Sequence, residues 1–365
     1  MLDLERYDRQ LKLHGFGMEG QQKLASARVL IIGAGGLGCP VLQYLAAAGV
    51  GNIGIVDDDV IALSNLQRQV LYTTNDVGKL KAEVASSRLR SMNPDISIRV
   101  ISEQMNTKNI IELLSDYELI VDCTDNFPTR YLIDDACRLM EKTLVFGAIY
   151  QYEGQVAVFN IPNDEGLKTS YRNLFPEPPR PSEVPDCNDA GVLGVLTSMI
   201  GTIQATEVIK LITGIGNSLS NKLLTINLLN YQTILLDIPA QITSSIAYPT
   251  SLADLQLTDY NLHCGMKSER SETICPSSLY EMANLPDTVI IDVREPGEYP
   301  KLGFPHLAIP LSNLTEKATQ IQQQNIIVIC QSGKRSFIGM KLLHEQLGKA
   351  YKISHLDGGI NNLKE

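Results

Sequence analysis

One short run constrains this chain more than any other. Gly33-Ala34-Gly35-Gly36-Leu37-Gly38 directly follows the apolar stretch Arg28–Gly33 and opens the helical pattern Leu37–Ala48. Glycines at this spacing allow a tight strand-to-helix turn. They let the backbone approach a phosphate, which the N–H groups and partial positive charge of the helix N-terminus then hold. Asp57 ends the next apolar run, Asn52–Asp57, and lies 19 residues after Gly38. A carboxylate at that place reaches a ribose hydroxyl. The pattern reads as a nucleotide site but does not name the nucleotide. On this fingerprint alone the favoured guess is an NAD-dependent oxidoreductase.

The rest of the first half keeps the same rhythm. Helical patterns at Lys79–Met92 and Phe127–Glu141 alternate with apolar runs at Ile96–Ile101, Glu118–Cys123 and Thr143–Gly147. Such βαβα order predicts a mostly parallel sheet with helices on both faces. After Tyr150 the runs Gln155–Asn160, Leu223–Leu228 and Gln232–Leu236 lie closer together, as in an antiparallel extension. Between them Pro176–Pro185 holds five prolines and reads as a mobile crossing loop. Ala247–Glu272 is rich in Ser, Thr, Asp and Asn and reads as a linker. The chain therefore divides into residues 1–245, a linker over 246–272, and a smaller α/β domain over 273–365. The smaller domain has strands at Val289–Asp292, Ile326–Cys330 and Ala350–Leu356 and a helix at Lys334–Gln346.

Composition narrows the setting. The 365 residues carry a net charge of −10, all of it in residues 1–272, since residues 273–365 balance at nine Lys+Arg against nine Asp+Glu. With no polybasic stripe, a nucleic-acid partner is not expected. The seven scattered cysteines form no CxxC pair and read as reduced thiols in a cytosol-like compartment. The charged N-terminus lacks the apolar core of a signal peptide. The uncharged stretch Ala190–Thr206 contains Gly, Thr, Ser and Gln and reads as a buried core helix rather than a membrane span. The expectation is a soluble cytoplasmic protein with no membrane partner.

Two cations and a carboxylate change the nucleotide guess. Arg68 in Ser64-Asn65-Leu66-Gln67-Arg68-Gln69, Lys81 in Gly78-Lys79-Leu80-Lys81, and Asp125 in Asp122-Cys123-Thr124-Asp125-Asn126 are more than a dinucleotide pyrophosphate needs. A triphosphate does need such cations, together with a carboxylate for Mg²⁺. These pieces occur in order with Arg6-Tyr7-Asp8-Arg9-Gln10, with Tyr44-Leu45-Ala46-Ala47-Ala48-Gly49-Val50-Gly51, and with Cys187 ahead of Ala190-Gly191-Val192-Leu193-Gly194. In that combination residues 1–245 resemble the MoeB/ThiF group of sulfur-carrier adenylyltransferases, relatives of the ubiquitin-activating enzymes.

The resemblance implies a Rossmann-like fold and a set of roles. Gly36 and Asp57 hold ATP, Asp57 through the ribose. Asn65, Arg68 and Lys81 hold the phosphates. Asp125, with Asn126 beside it in the nucleotide site, binds Mg²⁺ and supports catalysis. Arg9 reaches the phosphates from the partner subunit of a homodimer. Cys187 is a candidate for a covalent intermediate with the carrier. Many members of the group also carry a structural zinc on two CxxC pairs. Here the corresponding positions are Ser170-Tyr171-Arg172-Asn173 and Asn261-Leu262-His263-Cys264, so one thiol of four remains. A tetrahedral structural site needs four ligands, and zinc is not expected. The departure leaves open how residues 168–175 pack against 258–266.

In the second domain Cys330 ends a strand. Gln331-Ser332-Gly333 then leads into a helix that opens with Lys334 and Arg335. Backbone N–H groups aimed at the sulfur, and nearby positive charge, favour a thiolate or persulfide anion. Cysteine phosphatases need five residues between Cys and Arg, whereas this loop has four, which suits a single outer sulfur better. With Asp292-Val293-Arg294-Glu295-Pro296-Gly297-Glu298-Tyr299 and Leu356-Asp357-Gly358-Gly359-Ile360, the stretch from Thr273 onward resembles rhodanese domains. Asp292, Arg294 and His306 read as structural.

Together the two resemblances imply one pathway on one chain. ATP-dependent adenylation of the C-terminal glycine of a ubiquitin-like sulfur carrier ending in Gly-Gly would be followed by sulfur transfer from a Cys330 persulfide, giving a thiocarboxylate. The persulfide would come from a donor such as a cysteine desulfurase. Molybdopterin, thiamine and thiolated-tRNA synthesis all use this chemistry. Two alternatives stand beside it: an adenylyltransferase whose second domain only docks a sulfur donor, and a non-catalytic nucleotide-binding scaffold.

Overall fold

The computed structural model describes residues 3–178, 191–239, 248–260, 264, 273–274, 279, 282, 285–348, 351–356 and 358–362. It separates into two compact units, Met1–Met266 and Lys267–Glu365.

The first unit is built on an eight-stranded sheet. Its strands are β1 (Arg28–Ile32), β2 (Asn52–Val56), β3 (Ser97–Ile101), β4 (Leu119–Asp122), β5 (Thr143–Tyr150), β6 (Glu153–Phe159), β7 (Lys222–Asn227) and β8 (Gln232–Asp237), in the order β3-β2-β1-β4-β5-β6-β7-β8. The first five run parallel, and β6, β7 and β8 add antiparallel strands, so the expected mixed α/β architecture is present. The residues of β1 show why the strand reads as a continuous apolar run. Val29 and Ile31 enter one core with Leu24, Leu42, Leu89 and Ile200, while Leu30 and Ile32 enter the other with Leu114, Ile133 and Tyr171. A strand covered by helices on both faces has no polar side to alternate with.

This strand order fixes the site. From β1 the chain steps outward to β2 and β3, then returns past β1 to β4. The crossovers leave β1 and β4 in opposite directions, and a crevice opens at their carboxyl ends. The glycine turn, Asp57 and the Cys123–Asn126 segment follow β1, β2 and β4 and so meet there.

The stretch Gly194–Thr213 is long and apolar enough to cross a membrane by length and composition, yet it is the core helix of this unit. Leu196, Ile200, Gly201, Ala205 and Val208 are buried. A Cβ at Gly201 would lie 2.4 Å from the Leu37 carbonyl oxygen, so only glycine allows this helix so close to the turn.

The expected linker over 246–272 needs correction for its described part. Leu252–Leu257 is a helix whose Ser251 side chain accepts the Asp254 N–H. Leu255, Tyr260 and Cys264 are buried in the second core of the first unit. The polar composition misled because a few well-spaced apolar residues suffice to anchor a segment. The crossing loop beyond residue 178 lies outside the described residues.

The second unit is a five-stranded parallel sheet of β9 (Thr273–Ile274), β10 (Thr288–Asp292), β11 (Leu307–Ala308), β12 (Asn325–Ile329) and β13 (Lys352–Leu356), in the order β11-β10-β12-β13-β9. Cys330 follows β12 directly and precedes the helix Lys334–Leu347.

Candidate functional site

The crevice of the first unit encloses a cavity of about 310 Å³. Gly33 has φ +97°, and a Cβ there would meet the Cys123 carbonyl oxygen at 2.7 Å. A Cβ at Gly38 would lie 1.9 Å from the Gly33 carbonyl oxygen. These two glycines make the turn possible, while Gly35 and Gly36 line the cavity it wraps. Beneath Gly36 sits Thr197 of the core helix, whose side chain a Cβ would approach to 3.1 Å. The Tyr72 hydroxyl donates to the Ala34 carbonyl oxygen at 2.7 Å and pins the turn from below.

Asp57 lies on the cavity wall with both oxygens engaged. Oδ2 accepts the Ala34 N–H at 2.7 Å and Oδ1 accepts the Asp59 N–H at 2.9 Å. Burial raises its pKa above the usual carboxylate range, while the Lys81 charge and these hydrogen bonds work the other way. Each oxygen keeps a further lone pair for a hydroxyl donor. Lys81 opens the helix Lys81–Met92, and its Nζ is buried at the cavity, 2.8 Å from Asp59 Oδ2. Arg68 also lines the cavity, half-buried, with Nη1 donating to the Ser64 carbonyl oxygen at 3.2 Å.

The segment after β4 is held from beneath. Asp122 Oδ1 accepts from Thr124 N and Oγ1 at 2.9 and 2.6 Å. Arg130 Nε lies 3.6 Å from Asp122 Oδ2, its Nη2 donates to the Thr124 carbonyl oxygen at 3.1 Å, and its guanidinium sits 5.1 Å from the Phe146 ring centre. Burial raises the Asp122 pKa, and Arg130 opposes that rise. This network fixes Thr124, so the next residue, Asp125, presents an exposed carboxylate at the cavity. Asn126 lines the cavity and also caps the helix Phe127–Leu139, its Oδ1 accepting the Thr129 N–H at 3.0 Å.

Of the residues singled out in the sequence, Gly36, Asp57, Arg68, Lys81, Asp125 and Asn126 meet at this cavity. Asn65 does not line it. Its Oδ1 caps the one-turn helix Leu63–Asn65 by accepting the Ala62 N–H at 3.0 Å. Arg9 does not line it either: its side chain is 95% exposed, 4.0 Å from Asp8. Cys187 lies outside the described residues. Sequence reasoning missed Asp59, Arg130 and Thr197. Arg130 had a signal, standing four residues after Asn126 on the same helix, whereas Thr197 had none. Cys123 also lines the cavity, and burial pushes it, Cys39 and Cys137 up, Cys39 to about 12, so that all three are held as neutral thiols.

In the second unit Cys330 is fully buried, its Sγ 3.5 Å from Ser336 Oγ, which in turn donates to the Gly333 carbonyl oxygen at 2.9 Å. Gly333 has φ +85°, and a Cβ there would lie 3.0 Å from Gly358 N, so the loop closes tightly against the Gly358–Gly359 turn. Ile360 N donates to the Cys330 carbonyl oxygen and Asn361 N to that of Gln331, at 2.9 and 3.1 Å. The 14-residue helix Lys334–Leu347 begins at this loop and points its positive end at it. Arg335 is clasped by Glu298 through two bonds of 2.6 and 2.7 Å, which hold the Glu298 carboxyl down at about 2. Asp292 and Arg294 form a buried pair at 2.7 Å, and Arg294 Nη1 also donates to the Pro300 carbonyl oxygen. They brace the loop after β10.

The chain matches the ThiF family over residues 7–243 and the rhodanese-like domain over residues 276–365. It is 47% identical to a sulfur carrier protein adenylyltransferase of Thermus thermophilus, over 73% of this chain and 98% of that protein. It is 39% identical to the probable adenylyltransferase/sulfurtransferase MoeZ of Mycobacterium tuberculosis, over 98% of this chain and 92% of that one. The adenylyltransferase and sulfurtransferase MOCS3 of Xenopus laevis is 36% identical, over 95% and 82%. Among solved structures, Escherichia coli MccB with ATP shares the fold of 66% of this chain and 73% of its own, with a TM-score of 0.56 at 24% identity.

Proposed function

The chain belongs to the ThiF family and carries a rhodanese-like domain, an adenylyltransferase and sulfurtransferase of a sulfur carrier, and we propose how its residues divide that work. The observation that carries the reading is the convergence of Gly36, Asp57, Arg68, Lys81 and Asp125 on one cavity at the switch point of the sheet.

ATP lies across the glycine turn. Asp57 accepts from the ribose, and Arg68 and Lys81 face the phosphates. The C-terminal carboxylate of a ubiquitin-like carrier attacks the α-phosphorus, the bond to the pyrophosphate oxygen breaks, and an acyl adenylate forms. This is an in-line displacement, and the residues contribute position and charge neutralisation. Asp125 is a fitting Mg²⁺ ligand, since that ion takes one or two carboxylates and fills its shell with phosphate oxygens and water. When bound, the ion offsets the charge that builds on the leaving pyrophosphate. Arg9, exposed and away from its own cavity, serves the partner's site in a homodimer.

Cys330 takes up sulfur as a persulfide from a protein donor. The buried thiol places the outer sulfur, about 2 Å further along, as the reactive end. That sulfur attacks the acyl carbon and AMP leaves, giving an acyl disulfide. A second thiol then takes the Cys330 sulfur into a disulfide and releases the thiocarboxylate. Cys187 is a candidate for that thiol. The cytoplasm fits this chemistry, and the five described cysteines are free.

Pyrophosphate exchange in the presence of small proteins ending in Gly-Gly tests the first half. Cys330→Ala should keep that exchange and lose thiocarboxylate formation from a persulfide donor, with partial return in excess sulfide. Equal loss of both activities would refute the division, and no exchange with any such carrier would refute adenylation.

A further inference from the structure

The resembled group ties the segment 170–173 to the segment 261–264 with zinc, and the residues present here do not fit that metal. The Ser170 hydroxyl and amide N–H both donate to Asn173 Oδ1, at 3.1 and 2.7 Å, and Asn173 Nδ2 donates to the Pro239 carbonyl oxygen at 2.8 Å. A hydroxyl and an amide are not ligands of a structural zinc, and both are already occupied. Cys264 is buried as a neutral thiol, its pKa pushed up to about 12 by burial, with the Arg172 charge opposing the rise.

Residues 170–173 and the described stretch 248–260 are nevertheless packed together, and the group that joins them is polar. Asp135, on the helix Phe127–Leu139, is fully buried. Its Oδ1 and Oδ2 accept Arg172 Nε and Nη2, each at 2.8 Å, in a two-pronged pair whose side chains are both 0% exposed. Its Oδ2 also accepts the Tyr260 hydroxyl at 2.8 Å, and Arg138 lies 3.5 Å from Oδ1. Arg172 is further covered by the Tyr131 ring at 4.8 Å and the Tyr248 ring at 5.4 Å. The neighbouring Asp134 accepts the Tyr171 N–H at 2.8 Å, and the Tyr131 hydroxyl donates to the Phe175 carbonyl oxygen at 2.8 Å. A single carboxylate thus receives Arg172 from the segment 170–173 and Tyr260, the residue just before the segment 261–264.

We infer that this chain has exchanged the family's zinc for a buried Asp135–Arg172–Tyr260 clamp, which fastens residues 170–175 and 248–260 to the helix Phe127–Leu139. The physics favours this set. A buried carboxylate is costly unless a matched cation and further donors satisfy it, and here a planar guanidinium pairs with both oxygens while a phenol fills a third position. Arg172 stands between the two positions, Ser170 and Asn173, where thiols would be needed, and the buried aspartate meets its charge there.

The test uses the purified full chain. Zinc is measured by elemental analysis before and after dialysis against a strong chelator, and the melting temperature is followed on both samples. The expected result is well under one zinc per chain and no change on chelation. Tyr260→Phe removes one hydrogen bond without opening a void and should lower the melting temperature by roughly 2–4 °C. Asp135→Asn leaves Arg172 buried without its counter-charge and should lower it further, on the order of 5–10 °C. If that variant does not fold, Tyr260→Phe carries the test. One zinc per chain whose removal lowers the melting temperature overturns the inference, and so does a Tyr260→Phe protein that melts with the wild type.

Discussion

Replacing Lys81 with Met keeps the length of the side chain and removes its charge from the cavity wall. With ATP placed as proposed, two consequences follow. First, a cation near a phosphate oxygen is lost. At about 4 Å and an effective dielectric constant near 20, one such pair is worth about 4 kcal/mol. Asp59, 2.8 Å from Nζ, already cancels part of that field, although its side chain is 70% exposed and solvent screens it. The net loss should therefore be about 3 kcal/mol, or roughly 10²-fold in pyrophosphate exchange. Second, Asp57 loses the charge that opposes its burial. Its pKa is raised already, so it rises further. A ribose hydroxyl is best accepted by the carboxylate, so ATP binding weakens as pH falls through the Asp57 pKa. In Lys81→Met that weakening should begin at a higher pH than in the wild type. Asp59→Asn acts in the opposite sense. It releases Lys81 toward the phosphates, and the affinity for ATP should rise, by roughly 3-fold to 10-fold. Calorimetric titration of ATP into both variants between pH 5 and pH 8, beside exchange rates, reads all three effects. If Asp59→Asn weakens ATP as Lys81→Met does, the pair braces the loop and the charge argument fails.

Arg9→Ala and Asp125→Ala should each abolish carrier-dependent exchange. After subunit exchange, their mixture should recover about a quarter of wild-type activity, since half of the dimers then hold one intact site. A mixture that stays inactive after proven exchange places Arg9 in its own subunit's site. Glu298 is held at about 2 by Arg335, against an ordinary value of 4.5. A depressed carboxyl adds stability above its unfolded pKa and loses it as pH falls toward the folded one. Glu298→Gln should therefore flatten the fall in melting temperature of the second unit between pH 4.5 and pH 2, and an unchanged acid limb would count against the clasp. Gly33→Ala should fail to give a stable first unit, since a Cβ there meets the Cys123 carbonyl at 2.7 Å with φ at +97°. A variant that melts within a degree of wild type would show that the turn has other room.

The sequence by itself determined what depends on neighbours along the chain. Val29–Ile32 is apolar at every position, as expected of a strand covered on both sides. The glycine turn, the helix after it and the carboxylate at the end of β2 follow from local backbone rules. The loop from Cys330 to Arg335 was legible for the same reason, since a turn between a strand and a helix is a short-range object. What lay beyond reach rests on contacts between residues far apart in sequence. Nothing near Thr197 announces that it packs beneath Gly36, because that contact exists only once the core helix lies across the turn. Asp59 stood in a run of three aspartates, and only the fold shows that it is the one paired with Lys81. Asn65 is assigned to the phosphates by resemblance alone, and only the structure shows that its oxygen caps Ala62 N in the turn it sits in. The segment 246–272 reads as a linker by composition, yet within it Tyr260 reaches Asp135 across 125 residues of chain. Composition counts residues, whereas a buried carboxylate selects particular partners, and only the folded chain brings them within hydrogen-bonding distance.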